Sequence, residues 1–280
     1  MSDPIRLGIF GWPVAHSKSP QMHEAAARAL GVDLRYERFG VAPPGLQESV
    51  RQQHEAAIDG YNLTVPHKEA IMTLVDEVTP AAQAIGAVNT VVRTDGRYVG
   101  HNTDAPGLVR SLEEAGVRLA EARVVVLGAG GAARAAVVGL SRAGAADVTV
   151  LSRRPEQSEA LCNSLAKQID CNLEAAPLSE ASWYFETATL LVQATSATLE
   201  SNAGAADFAA ALPIDALPAE AAVLDMVYEP LKTSVLARAE QRGLAIVDGL
   251  GMLLHQGAIA FEMWTGFEPP LDVMRSALKG

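Results

Sequence analysis

The chain has 280 residues, 49% of them hydrophobic and 20% charged, with a formal net charge of −11. That length allows one or two domains, and the composition is that of an ordinary globular enzyme. The negative balance argues against nucleic acid or an anionic membrane as a general partner, so an anionic ligand has to be met by local positive charge.

The N-terminus lacks the basic-then-apolar run of a signal peptide, and no apolar stretch reaches membrane-span length. The two cysteines, Cys162 and Cys171, form no C-x-x-C pair and have no ligand cluster beside them, as expected of idle thiols in a reducing compartment. A cytoplasmic location follows as the expectation.

In chain order, Leu7–Phe10 predicts a buried strand ending at Gly11. Ser19-Pro20 predicts a helix start, with Ser able to cap and Pro in the first turn, and Gly31 predicts its end. Leu34–Phe39 reads as a strand, Leu46–Ala57 as a helix and Gly60–Val65 as a third strand. Val88–Arg93 and Arg97–Gly100 read as a hairpin around Thr94-Asp95-Gly96.

From Arg123 the texture changes. Val124–Leu127 is a continuous apolar strand, followed by a glycine loop and a helix from Ala132 to about Ala143. Further strands are predicted at Asp147–Leu151, Leu190–Gln193, Ala222–Asp225 and Ala245–Gly249. Strand and helix alternating at this spacing predict a doubly wound parallel sheet. Met252–Met263 reads as an apolar helix placed back on the first domain. Residues 197–220 read as an irregular surface excursion. The expected architecture is α/β, with a doubly wound parallel sheet from Arg123 onward.

Three constellations carry chemistry. The loop Gly128-Ala129-Gly130-Gly131-Ala132-Ala133 fits G-x-G-x-x-A after an apolar strand and before a helix, which predicts a pyrophosphate cradle. After the next strand, where an acidic residue would hold the ribose of NAD, the chain has Ser152-Arg153-Arg154-Pro155. Arginines at a helix start oppose its dipole, but they match a 2′-phosphate, which favours NADP. Solvated arginines partly neutralised by Glu156 or Glu159 are the competing reading.

The third constellation is Lys68, in Asn62-Leu63-Thr64-Val65-Pro66-His67-Lys68, with Asp104, in Gly100-His101-Asn102-Thr103-Asp104. Oxidation of an alcohol sends a hydride to the cofactor and a proton to a side chain, and Lys68 with Asp104 offers such a pair. His16, His23, His54, His67, His101 and His255 show no metal spacing. His67 and His101 flank the pair and could tune it, with plain surface histidines the favoured reading. Ser17 and Ser19, at a loop-to-helix junction, suit a carboxylate, although on these residues alone a helix cap for one and solvent for the other is the favoured reading.

Taken together, these motifs resemble shikimate dehydrogenases. The resemblance runs through Ser17-Lys18-Ser19-Pro20, Asn62–Lys68, Gly86–Thr90, Gly100–Asp104 with Gly107, and Gly128–Ala133. It continues through Ala194-Thr195-Ser196, Asp225–Tyr228 and Asp248–Leu253 with Gln256. It implies reversible NADP-dependent reduction of 3-dehydroshikimate to shikimate, in the biosynthesis of chorismate and aromatic amino acids. It also implies a small-molecule substrate and two α/β domains, a substrate-binding unit over residues 1–104 plus 250–280 and a Rossmann-like NADP unit over 105–249. Apart from the resemblance, the expectations are no metal, no nucleic-acid or membrane partner, and a monomer or homodimer.

By position, Lys68 and Asp104 would be catalytic. Ser17 and Ser19 would bind the substrate carboxylate, and Thr64, Asn89 and Gln256 its hydroxyls, with Asn62 and Tyr228 lining the site. Gly128, Ala129, Gly130, Gly131 and Ala132 would cradle the pyrophosphate. Ser152, Arg153 and Arg154 would meet the adenosine phosphate, and Met226 and Gly249 would flank the nicotinamide.

The chain departs from the family pattern at Gln193, where Asn is usual, at Thr198, where Gly is usual, and at Ser152-Arg153-Arg154 in place of Asn-Arg-Thr or Asn-Arg-Ser. Quinate- and NAD-using relatives often have Thr at the second Ser and an acid after the second nucleotide-domain strand. This chain has neither. A broader quinate or amino-shikimate dehydrogenase and an NADP-binding regulatory protein are the alternatives.

Overall fold

Two units emerge in the computed structural model: Met1–Thr103 with Gln256–Gly280, and Asp104–His255. The structure describes residues 3–279.

The first unit begins β1 (Ile5–Gly11), α1 (Ser19–Leu30), β2 (Leu34–Gly40), α2 (Leu46–Glu55) and β3 (Gly60–Leu63). It continues β4 (Glu77–Val78), α3 (Pro80–Ile85), β5 (Thr90–Thr94) and β6 (Arg97–His101). Its sheet has the order β2-β1-β3-β5-β6-β4. β1 is parallel to β2 and β3, whereas β5 is antiparallel to β3 and β6.

The local causes are plain. Pro20 stands in the first turn of α1, and Gly31 closes that helix at φ 68°, its N–H turned back onto the Ala27 and Arg28 carbonyls. Asp95 and Gly96, at φ 51° and 80°, form the hairpin turn that needs two left-handed residues. Phe10, Tyr61, Leu63, Ile71, Val88 and Val91 form the core beneath.

The second unit runs α4 (Asp104–Glu114), β7 (Arg123–Leu127), α5 (Gly131–Arg142), β8 (Asp147–Ser152), α6 (Pro155–Leu165) and β9 (Asn172–Pro177). It continues α7 (Ala181–Phe185), β10 (Leu190–Gln193), α8 (Ala205–Ala211), β11 (Ala222–Asp225), α9 (Ser234–Gln241) and β12 (Ala245–Val247). Its six strands are all parallel, in the order β12-β11-β10-β7-β8-β9. The chain winds outward in both directions from the β7–β10 pair. That is the doubly wound Rossmann arrangement, whose ligand crevice lies at the strand ends where the winding reverses.

α10 (Gly249–Thr265) and α11 (Leu271–Lys279) complete the chain. The part beyond Gln256 packs on the first unit. Trp264 Nε1 donates to the Val91 carbonyl at 2.9 Å, and Lys18 Nζ and Gln21 Nε2 each donate at 3.0 Å to the carbonyls of Leu278 and Ala277. The boundary therefore falls inside a continuous helix.

Residues 197–220 differ from expectation. They contain α8, and Ala209, Leu212, Ile214 and Leu217 are buried in the core shared by Leu191, Val223 and Val235. Their alanine-rich sequence hides helix and core alike. β4, α3, α4, β9, α7, α9 and α11 are likewise additions to the elements expected from sequence. The strand Asn172–Pro177 carries no β-branched residue and does not announce itself. Among the described residues, no helix is long and apolar enough to cross a membrane.

Candidate active site

In the first unit, a buried polar array joins β2, β3, the start of β5, the segment after β6 and α10. Tyr36, on β2, donates its hydroxyl to Asn62 Oδ1 at 2.6 Å. Asn62 Nδ2 lies 3.0 Å from both the Asn89 carbonyl and Thr90 Oγ1. Asn89 Nδ2 in turn donates to Thr103 Oγ1 at 2.9 Å and to Gln256 Oε1 at 3.3 Å, and its Oδ1 accepts the Thr103 N–H at 2.7 Å. Asn62, Asn89, Thr90, Thr103 and Gln256 are all buried. Fixed amides and hydroxyls of this kind suit a polyhydroxylated ligand, because they need no reorganisation to bind it.

Ser17 and Ser19 join this array at the start of α1. Ser19 is the first helical residue rather than the cap, and its N–H points to Ser17 Oγ at 3.3 Å. Ser19 also hydrogen-bonds the Tyr36 hydroxyl, whose ionisation burial pushes well above its usual range. Tyr36 is a site residue that sequence reasoning missed. Its only signal is an aromatic residue alternating with charges along β2. Thr64 follows β3, half-buried, with its N–H on the Phe10 carbonyl at 2.9 Å.

Lys68 is held in a pinned loop. Its carbonyl accepts the Val88 N–H at 2.8 Å, and the preceding His67 N–H bonds the Thr64 carbonyl at 2.9 Å. His67 is buried, not a surface residue, and its Nε2 reaches the Val41 carbonyl at 2.7 Å. It anchors the loop that carries the lysine. His101 is half-buried, and burial lowers its pKa. The correction at His67 has a simple cause: the lysine loop folds down onto Val41 instead of standing in solvent, whereas His101 ends strand β6 within the sheet. Asp104 opens α4 in the second unit and is buried.

The second unit has a groove of about 120 Å³ at the reversal point of its sheet, lined by Gly128, Ala129, Ser152, Arg153, Arg154 and Thr195 among others. Gly128 has φ +111°, and a Cβ there would sit 2.8 Å from Thr195 Cγ2. Gly130 faces open space, and α5 begins without a side-chain cap. Its first N–H groups are therefore available to an anion, and the missing Cβ at Gly130 leaves room for one.

Arg153 and Arg154 are exposed beside the groove, at an N-terminus of α6 that likewise lacks a side-chain cap. Ser152 lines the groove, but its hydroxyl faces inward, 2.6 Å from the Arg154 carbonyl and 3.2 Å from Ser158 Oγ. These features fit a dinucleotide with a phosphorylated ribose.

Beneath the groove, the two departures from the family pattern meet. Gln193 Nε2 donates to Thr198 Oγ1 at 2.8 Å, to the Thr195 carbonyl at 3.0 Å and to Asp225 Oδ1 at 3.2 Å, while its Oε1 accepts the Thr195 N–H at 2.6 Å. Asp225 also accepts from Thr233 Oγ1 at 2.7 Å and the Val227 N–H at 3.0 Å. Burial raises the pKa of Asp225, opposed by these hydrogen bonds.

Gln193 and Thr198 thus form one buried unit that fixes Thr195 against Gly128 and ties the end of β10 to the Met226–Val227 turn. Gly249 lies against that turn, and a Cβ on it would be 2.6 Å from the Met226 carbonyl. Tyr228 is half-buried, and its pKa is raised chiefly by burial.

The fold and these sites define a two-unit α/β protein with a Rossmann-type dinucleotide unit and a separate polar ligand unit. Family models match both: the shikimate dehydrogenase substrate-binding domain over residues 9–91, shikimate/quinate 5-dehydrogenase over 110–204, and the shikimate 5′-dehydrogenase C-terminal domain over 249–279. The shikimate dehydrogenase (NADP(+)) of Symbiobacterium thermophilum is 43% identical, covering 97% of this chain and 92% of that one. That of Geobacter metallireducens is also 43% identical, with 96% and 94% covered. The crystal structure of shikimate 5-dehydrogenase from Thermus thermophilus, in complex with NADP(H) and shikimate, superposes with a TM-score of 0.85 at 39% identity, covering 98% of each chain. The chain belongs to the shikimate dehydrogenase family.

Proposed function

We propose that this chain catalyses the reversible, NADP-dependent reduction of 3-dehydroshikimate to shikimate, a step toward chorismate and the aromatic amino acids. The observation that carries the reading is the buried Tyr36–Asn62–Asn89–Thr103–Gln256 array beside the pinned Lys68 loop, within a chain of this family.

When bound, NADP supplies the hydride donor or acceptor. The chain's own residues do the rest. Lys68 takes the proton of the reacting hydroxyl at Nζ during oxidation and returns it during reduction. Asp104, at the start of α4, grips a substrate hydroxyl. Ser17 and Ser19 bind the carboxylate. Thr64, Asn89 and Gln256 bind ring hydroxyls, with Asn62 and Tyr228 along the wall. Gly128, Ala129, Gly130, Gly131 and Ala132 hold the pyrophosphate through backbone N–H groups. Arg153 and Arg154 hold the 2′-phosphate, Ser152 shapes the turn that presents them, and Met226 and Gly249 flank the nicotinamide. The same reading makes it a cytoplasmic enzyme.

The test is Lys68→Ala, with turnover and NADP affinity measured separately. A fall in kcat of at least about a hundredfold with NADP affinity unchanged within about twofold is expected of a proton-transfer residue. Near-wild-type kcat removes Lys68 from the mechanism.

A further inference from the structure

Strand β2 carries a group to which the roles above assign nothing. Arg38 is two residues beyond Tyr36, so the two side chains leave the same face of the sheet. Its Nε and Nη2 donate to the Ser17 carbonyl at 3.2 and 2.7 Å. A guanidinium has five N–H donors, so these two bonds leave others available. A carbonyl does not neutralise the charge.

The other nearby cation, Lys18, is engaged elsewhere: its Nζ bonds the Leu278 carbonyl at 3.0 Å, near the C-terminus of α11. The serines themselves are electrically neutral. Ser17 Oγ accepts the Ser19 N–H, and Ser19 engages Tyr36. In a chain of net charge −11, a carboxylate approaching two neutral hydroxyls at a helix start gains from a local cation.

We propose that Arg38 is that cation: a substrate-recognition residue that draws the carboxylate to the Ser17–Ser19 end of the site and holds the Ser17 backbone in place to receive it. This rests on the assignment of shikimate as substrate. It adds what that assignment lacks, a charged determinant of specificity for an acid over its neutral analogue. Arg38 acts on the acid group, remote from the reacting hydroxyl, so its contribution falls on KM rather than kcat.

The experiment compares shikimate with its uncharged methyl ester at saturating NADP, over ionic strengths of about 0.02 to 0.5 M. It uses the wild-type enzyme, Arg38→Gln and Arg38→Lys. The expected result is a roughly five- to tenfold rise in KM for shikimate in Arg38→Gln, with the ester changed less than about twofold. KM for shikimate should rise with salt in the wild type and be nearly flat in Arg38→Gln. Arg38→Lys keeps the charge without the fork and should retain the salt dependence.

Equal losses for acid and ester in Arg38→Gln overturn the proposal, because Arg38 would then only brace the Ser17 loop. An unchanged KM for shikimate overturns it as well. Should Arg38→Gln fail to fold, Arg38→Lys and the wild type carry the test: a KM ratio of acid to ester that does not move with salt in either one overturns it. A wild-type enzyme that turns over neither compound refutes the substrate assignment itself, which is a different outcome from a wild type that turns over both without salt dependence.

Discussion

Gln193→Asn is the sharpest perturbation of the nucleotide unit. Gln193 is fully buried and uses both ends of its amide: three contacts from Nε2, at 2.8, 3.0 and 3.2 Å, and one at Oε1, at 2.6 Å. Removing one methylene withdraws the amide by about 1.5 Å, the length of a C–C bond. An asparagine can then satisfy the Thr195 backbone or reach Thr198 and Asp225, but not both.

Losing two such bonds costs about 2 kcal/mol, and the lost methylene adds about 1 kcal/mol. A total of about 3 kcal/mol corresponds to a fall in Tm of roughly 6–12 °C for a unit of this size. Thr195 is positioned by this amide and touches the place where Gly128 turns, so NADP affinity should weaken by roughly three- to tenfold as well. Thermal unfolding and an NADP titration read the two effects. Adding Thr198→Gly removes the stranded hydroxyl and should recover part of the lost Tm, since residues in one network couple. A Tm within about 2 °C of wild type and unchanged NADP affinity in Gln193→Asn would refute the role given to this network.

Replacing Arg153 and Arg154 together by Ala should weaken NADP by roughly ten- to a hundredfold while leaving NAD within about threefold, because exposed charge-assisted bonds sit at the low end of their range. Equal weakening of both cofactors would show that the arginines do not read the 2′-phosphate. His23 is fully buried between the rings of Tyr36 and Phe261, neither ring nitrogen has a hydrogen-bond partner, and desolvation lowers its pKa to about 3. The unfolded chain takes up this proton below about pH 6.5 while the folded chain does not, so the stability present above that pH is lost progressively toward pH 3. His23→Phe should therefore flatten stability measured by denaturant between about pH 4.5 and 6.5. An unchanged pH slope would mean that His23 is protonated in the fold.

Much of the nucleotide unit was legible because its strands are short apolar runs separated by a glycine loop, and parallel sheets buried on both faces write themselves that way. Val124–Leu127, Leu190–Gln193 and Ala222–Asp225 all lie within observed strands. The stretch 197–220 was not legible, because Ala209, Leu212, Ile214 and Leu217 enter the core one at a time from a helix and turns without an obvious period.

The site divides in the same way. Motifs with a backbone reason, such as Gly128 at φ +111° and Pro20 opening α1, can be read from residue type alone. Tyr36, Arg38 and the Gln193–Thr198 pair act through partners distant in sequence: Tyr36 meets Asn62 twenty-six residues on, and Gln193 meets Asp225 thirty-two residues on. Their local sequence holds no trace of that. His67 illustrates the converse. It looks like a polar loop residue until the loop is seen folded down onto Val41.

Assignment of the chain as an NADP-dependent shikimate dehydrogenase is tested most directly by kcat/KM for shikimate and for quinate, each with NADP and with NAD. Shikimate with NADP should exceed every other pair by at least about tenfold, the discrimination carried by one good charged hydrogen bond. Comparable values with quinate or with NAD would contradict the account, and so would an absence of turnover with all four pairs.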